Sequence, residues 1–175
     1  MVRMALDPIR SVLTRRSILL TLPFTASGRP PIRVELFLAT QCPISNRYVS
    51  ELNRLAAMYV LQGVSFEACF PEPNLSAAQL HKWTRDFGVQ FLVQLDPQGR
   101  RATTARATLT PVGVVFSGTK LIYCGRIDDR YVSLGKSRSE PTRRDVAETL
   151  DLLLAGAQPA PRFTKSWGCY IEAIK

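Results

Sequence analysis

The chain has 175 residues, enough for one domain with a buried core, and 46% hydrophobic with 21% charged residues is a globular composition that argues against wholesale disorder. Twenty-three basic against 14 acidic side chains give a formal charge of +9. The basic residues are scattered or in short pairs such as Arg100-Arg101 and Arg143-Arg144, with no basic stripe interleaved with aromatics, so no nucleic-acid partner is expected.

Residues 1–28 read as an export signal. The paired Arg15-Arg16 opens an apolar stretch, Ile18 to Ala26, broken only by Thr21, Pro23 and Thr25, and the small residues Ala26-Ser27-Gly28 follow. Charged, apolar and small in that order is the layout of a secretory signal, and the paired arginine is similar to a twin-arginine signal. It predicts an exported, periplasmic protein; an amphipathic N-terminal helix on a cytoplasmic protein is the other reading. The stretch is too short to span a bilayer, so no stable membrane span is expected.

The main domain is expected over 29–157. Arg33 to Thr40 is an apolar strand, and Gln41-Cys42-Pro43 turns it into an amphipathic helix running to about Tyr59, its pattern ended by Gly63. Val64 to Phe70 alternates as a second strand. Pro71-Glu72-Pro73-Asn74 is a loop, and Ser76 caps a helix that runs to Phe87 and is stopped by Gly88. A short strand at Phe91–Leu95, the turn Asp96-Pro97-Gln98-Gly99 and a short helix at Arg100–Ala107 form a further strand–helix unit. Pro111–Phe116 and Lys120–Gly125 flank the turn Ser117-Gly118-Thr119 as a hairpin. A capped helix from Thr142 to Ala155 closes the domain, with Val146, Leu150, Leu153 and Leu154 on one face. The tail, 158–175, is Pro-rich, carries Cys169 and is expected to be mobile. The order describes an α/β fold, a mixed central sheet flanked by helices with an extra strand–helix unit before the C-terminal hairpin.

Cys42 is the residue of greatest chemical interest. At the first turn of a helix it meets free backbone N–H groups and the positive end of the helix dipole, both of which favour a thiolate. Pro43 suits that turn because it has no N–H to lose. The other cysteines, Cys69, Cys124 and Cys169, lie at wide, irregular spacing, which rules out a short Cys-x-x-Cys or zinc-ribbon arrangement. Cys69 and Cys124 fall in predicted strands and read as inert core residues, with a structural bridge between them as the alternative. The single histidine, His81, shares a predicted helix with Lys82 and Arg85 and reads as solvated.

Four segments in order resemble the bacterial thioredoxin-like redoxin proteins, relatives of thioredoxins and alkyl hydroperoxide reductases. They are Phe37-Leu38-Ala39-Thr40-Gln41-Cys42-Pro43-Ile44-Ser45, Leu109-Thr110-Pro111, Tyr123-Cys124-Gly125-Arg126-Ile127-Asp128-Asp129-Arg130-Tyr131 and Thr164-Lys165-Ser166-Trp167-Gly168-Cys169-Tyr170-Ile171. The resemblance implies a thioredoxin-like fold, a reactive Cys42 and a cis-proline at Pro111. Two departures stand out. Thioredoxins carry a second cysteine three residues after the first, where this chain has Ser45. Peroxiredoxins carry threonine three residues before their cysteine, where this chain has Ala39, with Thr40 one place later.

These residues predict a thiol–disulfide oxidoreductase with Cys42 as nucleophile and Cys169 as resolving thiol, a role that requires alpha carbons within about 7 Å. The alternative for Cys169 is packing on the core beside Trp167. Thr110 and Pro111 are expected to shape a docking edge for substrate, or else to open an ordinary edge strand. Thr40, Pro43 and Ser45 complete the expected substrate site, Ser45 either donating to the Cys42 sulphur or lying solvated. Arg126, Asp128 and Asp129 are expected to form an exposed loop salt bridge. The expected partners are protein or small-molecule thiols and disulfides, or peroxides, with an external reductant. No cofactor is expected, because no phosphate-cradling Gly-rich loop is present, and no metal site is assigned. A thiol-dependent peroxidase and a non-catalytic binding or metal-carrier module, with Cys42 and Cys169 as metal ligands, remain as alternatives.

Overall fold

Alternation along the first strand decides which side chains face which layer. In the computed structural model, which describes residues 28–172, β1 (Ile32–Phe37) sends Val34 and Leu36 to one face of a sheet and Phe37 to the other. β1 stops at Phe37, short of the expected Thr40, and α1 (Pro43–Val60) begins with proline at its first turn. Leu61 caps α1, and Gly63 follows at a positive φ of 84°. β2 (Ser65–Phe70) then pairs parallel to β1. Ser76 caps α2 (Ala77–Asp86) in a reciprocal capping box with Gln79, and the helix ends at Phe87 before Gly88.

β3 (Leu92–Leu95) adds parallel to β2, and α3 (Arg100–Ala105) supplies the extra strand–helix unit. β4 (Leu109–Thr110) leads through a cis Thr110–Pro111 peptide into β5 (Val112–Ser117), which forms a hairpin with β6 (Lys120–Gly125) and pairs antiparallel to β1. A small hairpin, β7 (Tyr131–Ser133) with β8 (Lys136–Ser137), precedes α4 (Asp145–Leu154). After α4 the chain returns as β9 (Arg162–Phe163), parallel to β6, and then β10 (Cys169–Tyr170), antiparallel to β4. The main sheet runs β3-β2-β1-β5-β6-β9.

Helices cover both faces. α1, α2 and α4 bury Leu52, Leu55, Trp83, Val146 and Leu150 against Val34, Leu36, Phe70 and Val115. α3 packs Ala102 and Ala105 on the opposite face with Phe37, Val114, Cys69 and Cys124. That face also carries charge: Glu35 and Glu67 stand side by side on β1 and β2, and Arg101 from α3 pairs with both. The positions at which β9 and α4 approach the sheet are glycines. A Cβ on Gly125 would lie 2.1 Å from Thr164 Oγ1, and one on Gly113 would lie 2.7 Å from Val146 Cγ2.

Three expectations are corrected. The tail is held against the domain by β9, β10 and the Ile171 N–H, which donates to Thr108 O at 3.0 Å. α4 starts at Asp145 rather than Thr142, because Asp129 accepts the amides of Thr142 and Arg143 at 2.7 and 2.9 Å and holds them off the helical path. Asp128 and Asp129 are buried, not exposed: Tyr48 donates to Asp128 at 2.5 Å, and Arg126 pairs with Asp145 instead. The expected export segment lies outside the described residues, Gly28 apart. Among the described residues no helix is long and apolar enough to cross a membrane.

Leu52, on the buried face of α1, is fully enclosed, so Leu52→Ala should lower stability by about 2–5 kcal/mol in urea unfolding, whereas Met58→Ala on the exposed face should cost about 0.5 kcal/mol or less.

Candidate active site

The end of β1 and the start of α1 place Cys42 at the helix N-cap, with only 1% of its surface exposed. The loop before it is fixed from several directions. Glu72 accepts both the backbone N–H and the hydroxyl of Thr40, at 2.8 and 2.9 Å. Asn46 donates to Thr40 O at 3.2 Å, and its own amide oxygen accepts from Trp83 Nε1 at 3.0 Å. The Ser45 hydroxyl is wholly buried and accepts from Ala39 N–H at 3.3 Å, which leaves its O–H to donate toward Cys42. In its thiol form Cys42 donates to Thr110 O at 3.3 Å.

The strand pair β4–β10 brings in the second thiol. Cys169 stands opposite Thr110, the residue whose carbonyl contacts Cys42, and the two thiols perturb one another's ionisation. Gly168 makes this approach possible, since a Cβ there would lie 1.8 Å from Thr110 O. Cys169 is exposed where Cys42 is buried.

Electrostatics separates the four cysteines. Burial pushes the Cys42 thiol up, but the Ser45 amide and hydroxyl and the Cys169 thiol and amide outweigh it, leaving Cys42 below the ordinary thiol value. Burial and then the neighbouring Cys42 push Cys169 up to about 11. Cys69 and Cys124 are free, and burial raises them to about 12 and about 11, so both stay protonated near neutrality. His81 lies exposed on α2. Among the described residues no group of three histidine, cysteine or carboxylate side chains is arranged to hold a metal ion.

The structure therefore brings Thr40, Cys42, Ser45, Thr110 and Cys169 together, with Pro43 exposed at the first turn of α1 and Pro111 beneath Trp167 at a small neighbouring pocket. Sequence reasoning missed Glu72, whose one signal was its place between two prolines in a rigid loop. It also missed Asn46, which nothing in the sequence marks. The Tyr48–Asp128 pair was half visible, in the motif carrying Asp128.

Solved structures share this arrangement of elements. An uncharacterised conserved protein from Geobacillus kaustophilus superposes with a TM-score of 0.69 at 29% identity, over 82% of this chain and 78% of that one. A candidate thioredoxin from Neisseria meningitidis gives 0.56 at 14% identity, over 74% and 79%. A candidate thiol:disulfide interchange protein DsbE from Chlorobium tepidum gives 0.54 at 15% identity, over 71% and 80%. No family model and no curated protein matches the chain. The fold is thioredoxin-like, with a mixed sheet between helices and a cysteine at the head of the first helix.

Ser45→Ala removes one donor to the Cys42 sulphur and should move the Cys42 titration upward, read from thiolate absorbance near 240 nm in a Cys169→Ser background. Gly168→Ala should push β10 off β4, and the Ile171 amide should then exchange with solvent roughly tenfold faster or more.

Proposed function

We propose that this protein is a redoxin-type thiol–disulfide oxidoreductase in which Cys42 is the nucleophile and Cys169 the resolving thiol. The observation that carries the reading is the β4–β10 pairing, which sets Cys169 against Cys42 where a substrate sulphur would need to arrive. The two thiols divide the labour. Cys42, low in pKa, is the better attacking group near neutrality and the better leaving group afterwards, whereas Cys169 stays protonated until Cys42 has been consumed. Once Cys42 is held in a mixed disulfide its negative charge is gone, which removes one of the causes raising Cys169 and favours the second attack.

Thr110 and Ser45 position the Cys42 sulphur, and Thr40 and Pro43 hold the turn that presents it. Trp167 of the tail and Pro111 line one small pocket beside the site. The layout of residues 14–28 supports reading this chemistry as that of an exported protein, in a compartment where disulfides persist. An external dithiol would return the pair to the reduced state.

Cys42→Ser should abolish exchange with a model disulfide, and Cys169→Ser should leave a stable mixed disulfide on Cys42. Peptide mapping by mass spectrometry after mild oxidation of the wild type should find a reversible Cys42–Cys169 bridge. Full exchange activity in Cys42→Ser would overturn the assignment of the nucleophile, and an unchanged amount of trapped adduct in Cys169→Ser would overturn that of the resolving thiol.

A further inference from the structure

Cys42 and Cys169 both line one cleft of about 390 Å³, a size suited to a small molecule. The loop carrying Glu72 and Leu75 bounds it, as do Tyr170 and Ile171 of the tail. Two properties of this cleft bear on what can enter. First, the backbone of β4 that an incoming extended peptide would pair with is already paired with the chain's own β10, and Ile171 N–H continues the pairing to Thr108 O. Tight contact of Gly168 with Thr110 O leaves no space for a second strand between them. Second, among the described residues the lining includes two carboxylates, Glu72 and Glu172, and no cationic side chain, in a protein with 23 basic residues. Both Glu72 oxygens accept from uncharged donors on Thr40, so its negative charge has no ion-pair partner among the described residues.

We propose that this cleft selects low-mass disulfides bearing neutral or cationic groups and turns away extended polypeptides and anionic disulfides. The proposal rests on the exchange chemistry given above and adds its substrate class. In the first step the Cys42 thiolate attacks one sulphur of R–S–S–R, forming Cys42–S–S–R and releasing one thiolate, RS⁻. Cys169 then gives its proton to water or to RS⁻ and attacks the Cys42 sulphur, forming the Cys42–Cys169 disulfide and releasing a second RS⁻. One small disulfide is reduced to two thiols, the protein's two thiols are oxidised to one disulfide, and an external dithiol reverses the latter change.

The test compares cystamine (cationic), bis(2-hydroxyethyl) disulfide (neutral) and 3,3′-dithiodipropionate (anionic) with insulin as polypeptide disulfide, in the full chain and in Glu72→Gln. Cystamine is expected to oxidise the protein faster than dithiodipropionate, and Glu72→Gln should shrink that ratio by roughly tenfold at low salt, a factor that falls as salt is added. Any general damage to the site slows all three and cancels in the ratio. Insulin should react at least a hundredfold more slowly than cystamine. A ratio that Glu72→Gln leaves unchanged, faster reaction with dithiodipropionate, or insulin reduced at a rate near that of cystamine would each overturn the substrate class while leaving the exchange reading intact. Failure of every disulfide to react with Cys42 would instead overturn the exchange reading, and the substrate class with it.

Discussion

A buried thiol that ionises readily needs its burial offset by hydrogen bonds aimed at one atom, and the neighbourhood of Cys42 is built around that balance. Apolar surroundings alone would leave it as inert as Cys69 or Cys124. The offset comes from the first turn of α1, where Ser45 offers its amide and hydroxyl, and from the tail, where Cys169 offers its thiol and amide. Each donor has its own support. Ala39 N–H orients the Ser45 hydroxyl, Glu72 and Asn46 fix the loop that includes Ala39 and Thr40, and β4 holds Cys169. α1, α2, the loop between β2 and α2 and the β4–β10 pair thus converge on one sulphur through a few short polar contacts.

Most of the architecture was legible because it follows local rules. The apolar runs at β1 and β5, the alternation at β2, the Ser76 capping box and the glycines ending α1 and α2 are patterns that a few residues carry by themselves. The placement of Cys42 at a helix start was readable for the same reason. What was not readable depends on residues far apart. β9 and β10 are two residues each, with no alternation to detect, and they exist because Gly125 and Gly168 admit a neighbouring backbone. The late start of α4 depends on Asp129, in a loop that sequence marks only as charged. Glu72 and Asn46 act through partners 32 and 37 positions distant, and no local signal announces either bond.

The tail shows how a mistaken expectation about motion arises. Prolines at 159 and 161 and a scattering of polar residues read as a loose end, because nothing there resembles an element. Yet the segment needs no element of its own. It borrows order from β6 and β4, whose unpaired edges would otherwise be exposed, and it buries Ser166 while packing Trp167 against the core. The same strand pairing that protects those edges delivers the second thiol.

Cys42 and Cys169 stand near opposite ends of the described chain, and this has a consequence for the molecule as a mechanical object. A bond between them closes a loop of nearly 130 residues, and in the chain-entropy account such a closure is worth about 5 kcal/mol against unfolding. With that bond formed, redox state and resistance to unfolding would be the same variable seen twice, the oxidised molecule the hard one and the reduced molecule the soft one. A protease or a hot bath would sense how recently the protein had met its reductant.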